Sequence, residues 1–185
     1  MSAPSPWLLR WQHLFKPGGR ALDLACGSGR HVRHLAARGL QLTAVDRDAT
    51  ALEALADCAN TIVADLEAGP WPLAGAQFDL VLVTNYLWRP RLADIVALVA
   101  PDGWLVYETF ADGQQTIGRP ANPAFLLRPG ELLQACAGLR VLAYEDGFEP
   151  SAANGTVNGR YVQRVAAVRP ASLAGPALPY PLSAE

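Results

Sequence analysis

The sequence predicts an α/β fold: a mostly parallel sheet with helices on both faces, closed by a C-terminal antiparallel hairpin. Three observations carry this. Strand-like and helical runs alternate from Ala21 to Thr109. Phe78–Thr84 is apolar almost without a break, as in a strand covered on both sides. The last two strand-like runs are separated by Asn-Gly pairs, which favour hairpin turns. With 185 residues, 51% hydrophobic and 17% charged, the chain has the core material of one domain and not the composition of a disordered one.

In order, Trp7, Leu8, Trp11, Leu14 and Phe15 stand at helical spacing over Pro6–Phe15, and Pro17-Gly18-Gly19 ends that helix. Ala21–Ala25 is the first strand. Arg30–Arg38 is a helix closed by Gly39. Gln41–Val45 is the second strand, and Asp48 caps a helix over Ala49–Cys58. Thr61–Ala64 is the third strand, followed by turns over Glu67–Gly75. After the fourth strand, Phe78–Thr84, come a helix over Arg91–Val99, a turn at Pro101-Asp102-Gly103 and a fifth strand, Trp104–Thr109. The long loop Asp112–Pro129 carries Phe125, Leu126 and Leu127, which argue for a lid rather than disorder. Gly130–Cys136 is a short helix. Leu139–Glu145 and Arg160–Val168 are the final pair, with Asn154-Gly155 and Asn158-Gly159 between them. Residues 1–170 read as one domain, with the helix of 1–17 packed on it, and 171–185 as a loose Pro/Ala-rich tail.

A net charge of −2 gives no global field toward nucleic acid or anionic lipid. Three cysteines without a CxxC pair argue against a zinc ribbon or redox motif and suit a reducing, cytoplasmic setting. The most apolar run, Leu92–Val99, is too short to span a membrane and contains Asp94, and no signal-peptide pattern opens the chain. His31 and His34 have no third ligand nearby and read as helix-surface residues, with no metal site.

The chemistry lies in Ala21-Leu22-Asp23-Leu24-Ala25-Cys26-Gly27-Ser28-Gly29-Arg30-His31, a strand, a small-residue turn and a helix start. Gly27 and Gly29 let a ligand approach the backbone, whose N–H groups favour polar or anionic groups. A dinucleotide loop would need a third glycine, and no Walker lysine follows. The spacing Asp-x-Ala-x-Gly-x-Gly resembles the first motif of class I S-adenosylmethionine-dependent methyltransferases, with Ala25 in place of the first glycine. Asp46 and Asp65, ending the second and third strands, stand where that resemblance places acids for the ribose hydroxyls and the adenine amine.

The resemblance covers about residues 18–170 and implies a Rossmann-like seven-stranded sheet. It implies S-adenosyl-L-methionine as cofactor, with S-adenosylhomocysteine as product, held by Asp23, Ala25, Cys26, Gly27, Gly29, Asp46, Arg47, Asp65, Leu66 and Asn85. Cys26 reads as a packing residue rather than a nucleophile. Asn85–Pro90 and Tyr107–Leu132 are similar to small bacterial enzymes of the tellurite-resistance and thiopurine methyltransferase type. On that basis the acceptor is a small molecule with an N, O, S or chalcogen-oxyanion nucleophile. Glu108 is the expected general base or acceptor-positioning group, Tyr86 its companion, and Tyr86, Arg89 or Arg91, and Arg119 the expected substrate contacts. The segment after the fourth strand does not read NPPY or DPPY, which disfavours nucleic-acid base methylation. Three alternatives stay open: methylation of RNA or protein, a non-catalytic cofactor-binding module, and a nicotinamide oxidoreductase.

Overall fold

A computed structural model describes residues 2–153, 156–171 and 179–183. Its seven strands are β1 (Arg20–Leu24), β2 (Gln41–Asp46), β3 (Ala59–Val63), β4 (Phe78–Thr84), β5 (Val99–Phe110), β6 (Arg140–Ala153) and β7 (Thr156–Val168). They form one sheet in the order β3-β2-β1-β4-β5-β7-β6. β1 to β5 are parallel, and β7 runs antiparallel to both β5 and β6. The strand order reverses between β1 and β4, and in open sheets ligands bind at the carboxyl ends beside such a reversal.

Strand alternation divides the core into two layers. Leu22, Leu24, Val81, Val83, Leu105 and Tyr107 face one layer. It is covered by α4 (Leu92–Ala97) and α5 (Glu131–Ala135) through Ile95 and Leu132. Ala21, Leu80, Leu82, Trp104 and Val106 face the other. There α1 (Pro6–Trp11), α2 (Arg30–Ala36) and α3 (Ala49–Glu53) supply Trp7, Trp11, Val32, Leu35 and Leu52. Trp7 and Trp11 are buried edge to face, 5.7 Å apart, and the Trp7 indole N–H donates to the Val165 carbonyl at 3.1 Å.

The helices are shorter than their periodicity suggests. After Glu53 the chain tightens into i→i+3 turns, with Ala56 N–H bonded to the Glu53 carbonyl. β5 begins at Val99 rather than Trp104 and crosses a register shift, with Gly103 lying too close to the Phe78 and Ala100 carbonyls to carry a side chain. The hairpin strands run past their expected ends, through Gly147, Pro150 and Gly159, residue types that hide a strand in the sequence. β5 pairs with β7 only as far as Phe110↔Val162, so the rest of the hairpin stands as an arm beyond the carboxyl end of β5. Its Asn154-Gly155 turn lies outside the described residues, as does most of the tail. What is described of the tail is docked rather than loose: Tyr180 meets Trp104 edge-on at 5.3 Å.

The Asp112–Pro129 loop, the expected lid, is held by specific contacts. Ala111 bridges to Leu127, and Gln114 is buried with its side chain bonded to Tyr161 N–H and the Arg119 carbonyl. Arg89 clamps it. Its guanidinium grips Glu131 at 2.6 and 2.9 Å and donates to the carbonyls of Pro123, Ala124 and Leu126. All five N–H donors are thus engaged, which corrects the expectation that Arg89 meets the acceptor. Arg91 likewise pairs with Asp94 at 2.8 Å. Among the described residues no helix is long and apolar enough to cross a membrane, and no side-chain cluster suits a metal.

Two outcomes follow. Trp11→Ala, which empties a fully buried site, is expected to cost about 3–5 kcal/mol, read as a lower denaturant midpoint at unchanged slope. Burial alone would raise the Glu131 pKa, but Arg89 and the Arg128 N–H outweigh it and hold it below 4.5. The clamp is therefore complete above that value and is lost as pH falls through the depressed one. Arg89→Met and Glu131→Gln should admit protease to residues 112–129 at pH 7, whereas the wild type should do so only in acid. Equal cleavage rates at pH 7 would refute the clamp.

Candidate functional site

The glycine turn leaves β1 through three left-handed residues: Ala25 (φ 55°), Gly27 (φ 54°) and Gly29 (φ 74°). Cys26 N–H extends the β1–β2 ladder to the Val45 carbonyl at 3.1 Å. Gly27 N–H donates to Asp46 Oδ2 at 2.8 Å, and Asp48 N–H to Oδ1 at 3.0 Å. A side chain on Gly29 would collide with Leu55, whereas one on Gly27 would meet nothing within 4 Å. Gly29 is needed for packing, and Gly27 keeps the turn open to a ligand. Burial pushes the Cys26 thiol up to about 12, so it packs and is no nucleophile at neutral pH.

Beside the turn lies a cleft of about 250 Å³, lined by Ala25, Asp46, Arg47, Asp65, Leu66, Glu67, Tyr86 and Phe125. Asp65 is exposed, and its Oδ1 accepts from Glu67 N–H and Ala68 N–H at 2.9 and 3.1 Å. Those bonds lower its pKa and leave Oδ2 for a ligand. Asp46 uses two of the four lone-pair positions of its carboxylate, so it can still accept two hydroxyl donors. The Tyr86 hydroxyl is buried in the cleft wall without a partner among the described residues, and burial raises its pKa, so it is a neutral donor rather than a base. Phe125 reaches the cleft from the lid, a role sequence reading did not assign to it. Glu67 is a second addition.

Asn85 caps β4 in the left-handed region (φ 54°), exposed outside the cleft, with its N–H on the Glu108 carbonyl at 2.9 Å. Arg119 is exposed on the lid. Glu108 does not face the cleft. It is buried on the α1 side of the sheet, accepts from the Ser5 hydroxyl, and lies 3.4 Å from Arg160 and 3.8 Å from Arg164. Its oxygens are engaged by Ser5, Arg160 and Arg164 and it does not line the cleft, which corrects the expectation of a base facing the acceptor. His31 is also buried, not on a helix surface, 3.7 Å from Asp23. His34 is half-buried and bonds the Gln12 side chain at 2.8 Å. Asp23 is fully buried, with its pKa raised by burial and no hydrogen-bond partner on either oxygen.

These features fit an adenosyl ligand. Two strand-end carboxylates and an open glycine turn offer acceptors and donors, and an unsatisfied buried acid lies beneath the turn. Residues 21–103 match the family model described as a methyltransferase domain. No curated protein matches the sequence. Among solved structures, TehB from Haemophilus influenzae is similar with a TM-score of 0.73 and 18% identity, over 91% of this chain and 63% of that one. The chain thus spans less than two thirds of that protein. A TehB-like SAM-dependent methyltransferase from Corynebacterium glutamicum has a TM-score of 0.60 and 21% identity, covering 88% of this chain and 86% of its own. N-methyltransferase NodS from Bradyrhizobium japonicum has a TM-score of 0.63 and 15% identity, covering 89% and 92%. Residues 21–103 thus match a methyltransferase domain, and the fold of the chain is similar to that of TehB and of other SAM-dependent methyltransferases.

Proposed function

We propose that this protein transfers the methyl group of S-adenosylmethionine to a small-molecule acceptor through an N, O, S or chalcogen-oxyanion nucleophile. The observation that carries the reading is the pair Asp46 and Asp65, on successive strand ends, facing one cleft beside the open Gly27 turn. Asp46 accepts the ribose hydroxyls. Asp65 Oδ2 accepts the adenine amine, with Leu66 and Phe125 against the ring and Arg47 at the rim. Ala25, Cys26, Gly27 and Gly29 shape the backbone around the methionine part, above Asp23.

The cofactor supplies an electrophilic methyl group on a sulfonium, so the acceptor's lone pair forms the new bond as the C–S bond breaks toward sulfur. The protein's share is alignment and exclusion of water. The clamped lid and Phe125 close the cleft, and the Tyr86 hydroxyl can donate to a bound group. With Glu108 occupied, the acceptor's proton leaves to solvent. A cavity of about 510 Å³ between Pro6 and the hairpin arm, with Glu149 and Arg160 on its wall, has room for a small molecule. Asn85 and Arg119 are further candidates for contact with it. NodS is an N-methyltransferase by its name, and an amine acceptor is consistent with the acidic character of the site. The three free cysteines are consistent with a cytoplasmic location.

Calorimetry with S-adenosylhomocysteine should give micromolar binding to the wild type, no binding of NADH, and a loss of about tenfold or more in Asp46→Ala, as expected for charge-assisted bonds. A folded protein that binds no adenosyl compound would overturn the reading. Production of S-adenosylhomocysteine with a panel of amines, thiols and oxyanions, but not with RNA or protein, is the expected acceptor profile.

A further inference from the structure

A line of buried polar groups runs beneath the glycine turn, apart from the cleft. Ser5 N–H donates to His31 Nε2 at 3.2 Å, and the Ser5 hydroxyl donates to Glu108. All three residues are at least 97% buried, with exposures of 3%, 1% and 1%. Because Nε2 accepts, the neutral imidazole carries its proton on Nδ1. Nδ1 is the nitrogen that faces Asp23 Oδ2, at 3.7 Å. That distance is a charge–dipole contact and not a closed hydrogen bond. The Asp23 carboxylate is therefore oriented but still unsatisfied.

We infer that His31 and Ser5 are positioning residues, which act through Asp23 to hold a buried acceptor ready for the ammonium group of the cofactor's methionine part. The inference rests on the proposed cofactor. Ser5 fixes the tautomer, the tautomer aims Nδ1–H at Asp23, and a cationic ligand group completes the carboxylate's contacts. An unpaired buried charge is costly, so a ligand that brings the opposite charge gains what the free protein lacks.

Ser5 allows its N–H to be separated from its hydroxyl, which donates to Glu108 and accepts from Trp7 N–H. Its φ of −58° is compatible with proline. Ser5→Pro removes both the N–H that reaches His31 and the hydroxyl, whereas Ser5→Ala removes only the hydroxyl, so the difference between the two variants isolates the N–H. The measurement is the affinity of S-adenosylhomocysteine relative to 5′-methylthioadenosine, which shares the nucleoside but has no ammonium. His31→Leu should weaken S-adenosylhomocysteine by about tenfold, the scale of a lost bond to a charged group, and leave 5′-methylthioadenosine unchanged. Ser5→Pro should show part of that loss and Ser5→Ala none. His31→Asn, which keeps a donor in place of Nδ1, should restore most of it.

Equal weakening of both ligands in His31→Leu and Ser5→Pro, or no change in either, would overturn the inference while the cofactor reading stands. Absence of S-adenosylhomocysteine binding by the wild type would instead remove that reading and this inference together.

Discussion

The bond from Gly27 N–H to the Asp46 carboxylate is the point on which the rest of the site depends. It joins the turn after β1 to the end of β2, so two successive loops form one wall. The sheet makes it possible. β1 and β2 pair as Leu24↔Val45, and Cys26 N–H carries the ladder one step further, which leaves Gly27 opposite Asp46. A one-residue slip would turn Asp46 to the other face of the sheet and separate the two. The cleft is thus a consequence of strand register, and register is set by the two apolar layers that the strands must cover.

That dependence explains which features could be read from the sequence. The alternation of strands and helices, the glycine turn and the strand-end positions of Asp46 and Asp65 lie in short local patterns, where a few residues determine strand, turn and helix start. Phe78–Thr84 is bounded as expected because a strand buried on both faces leaves no ambiguity of period. Helix ends were less legible. Ala49–Cys58 has helical composition, but its second half tightens where the chain must turn into β3.

Partners distant in sequence were not legible at all. Arg89 looks like a free cation at a helix start until Glu131, 42 positions away, occupies it. Glu108 looks like a base at a strand end until Ser5, 103 positions away, covers it. His31 and His34 share a helix, yet only His31 is buried, with Ser5 N–H on its ring and Asp23 beside it. Arg89 and Glu108 were assigned to a ligand and His31 to the helix surface, when the fold used each side chain first. Burial of a charged group requires a partner, and a partner supplied by the chain leaves less for a substrate.

Backbone strain falls where that competition has been left open. Among the described residues other than glycine, Ala25, Asn85 and Asp102 have left-handed backbones. Asp102 lies within β5, at the register shift between Val99 and Trp104. The other two follow the carboxyl ends of β1 and β4, neighbours that pair as Leu24↔Val83 on either side of the strand-order reversal. Asparagine tolerates this conformation, whereas for alanine it costs about 1–2 kcal/mol. Such a cost persists only where the surroundings over-determine the backbone, which they do here. Cys26 N–H is held by Val45 and Asn85 N–H by Glu108, so both residues are pinned immediately beside their strands. The strain keeps the two loops turned outward at the reversal point, and Ala25 exchanges the freedom of a glycine for a methyl group in the cleft wall.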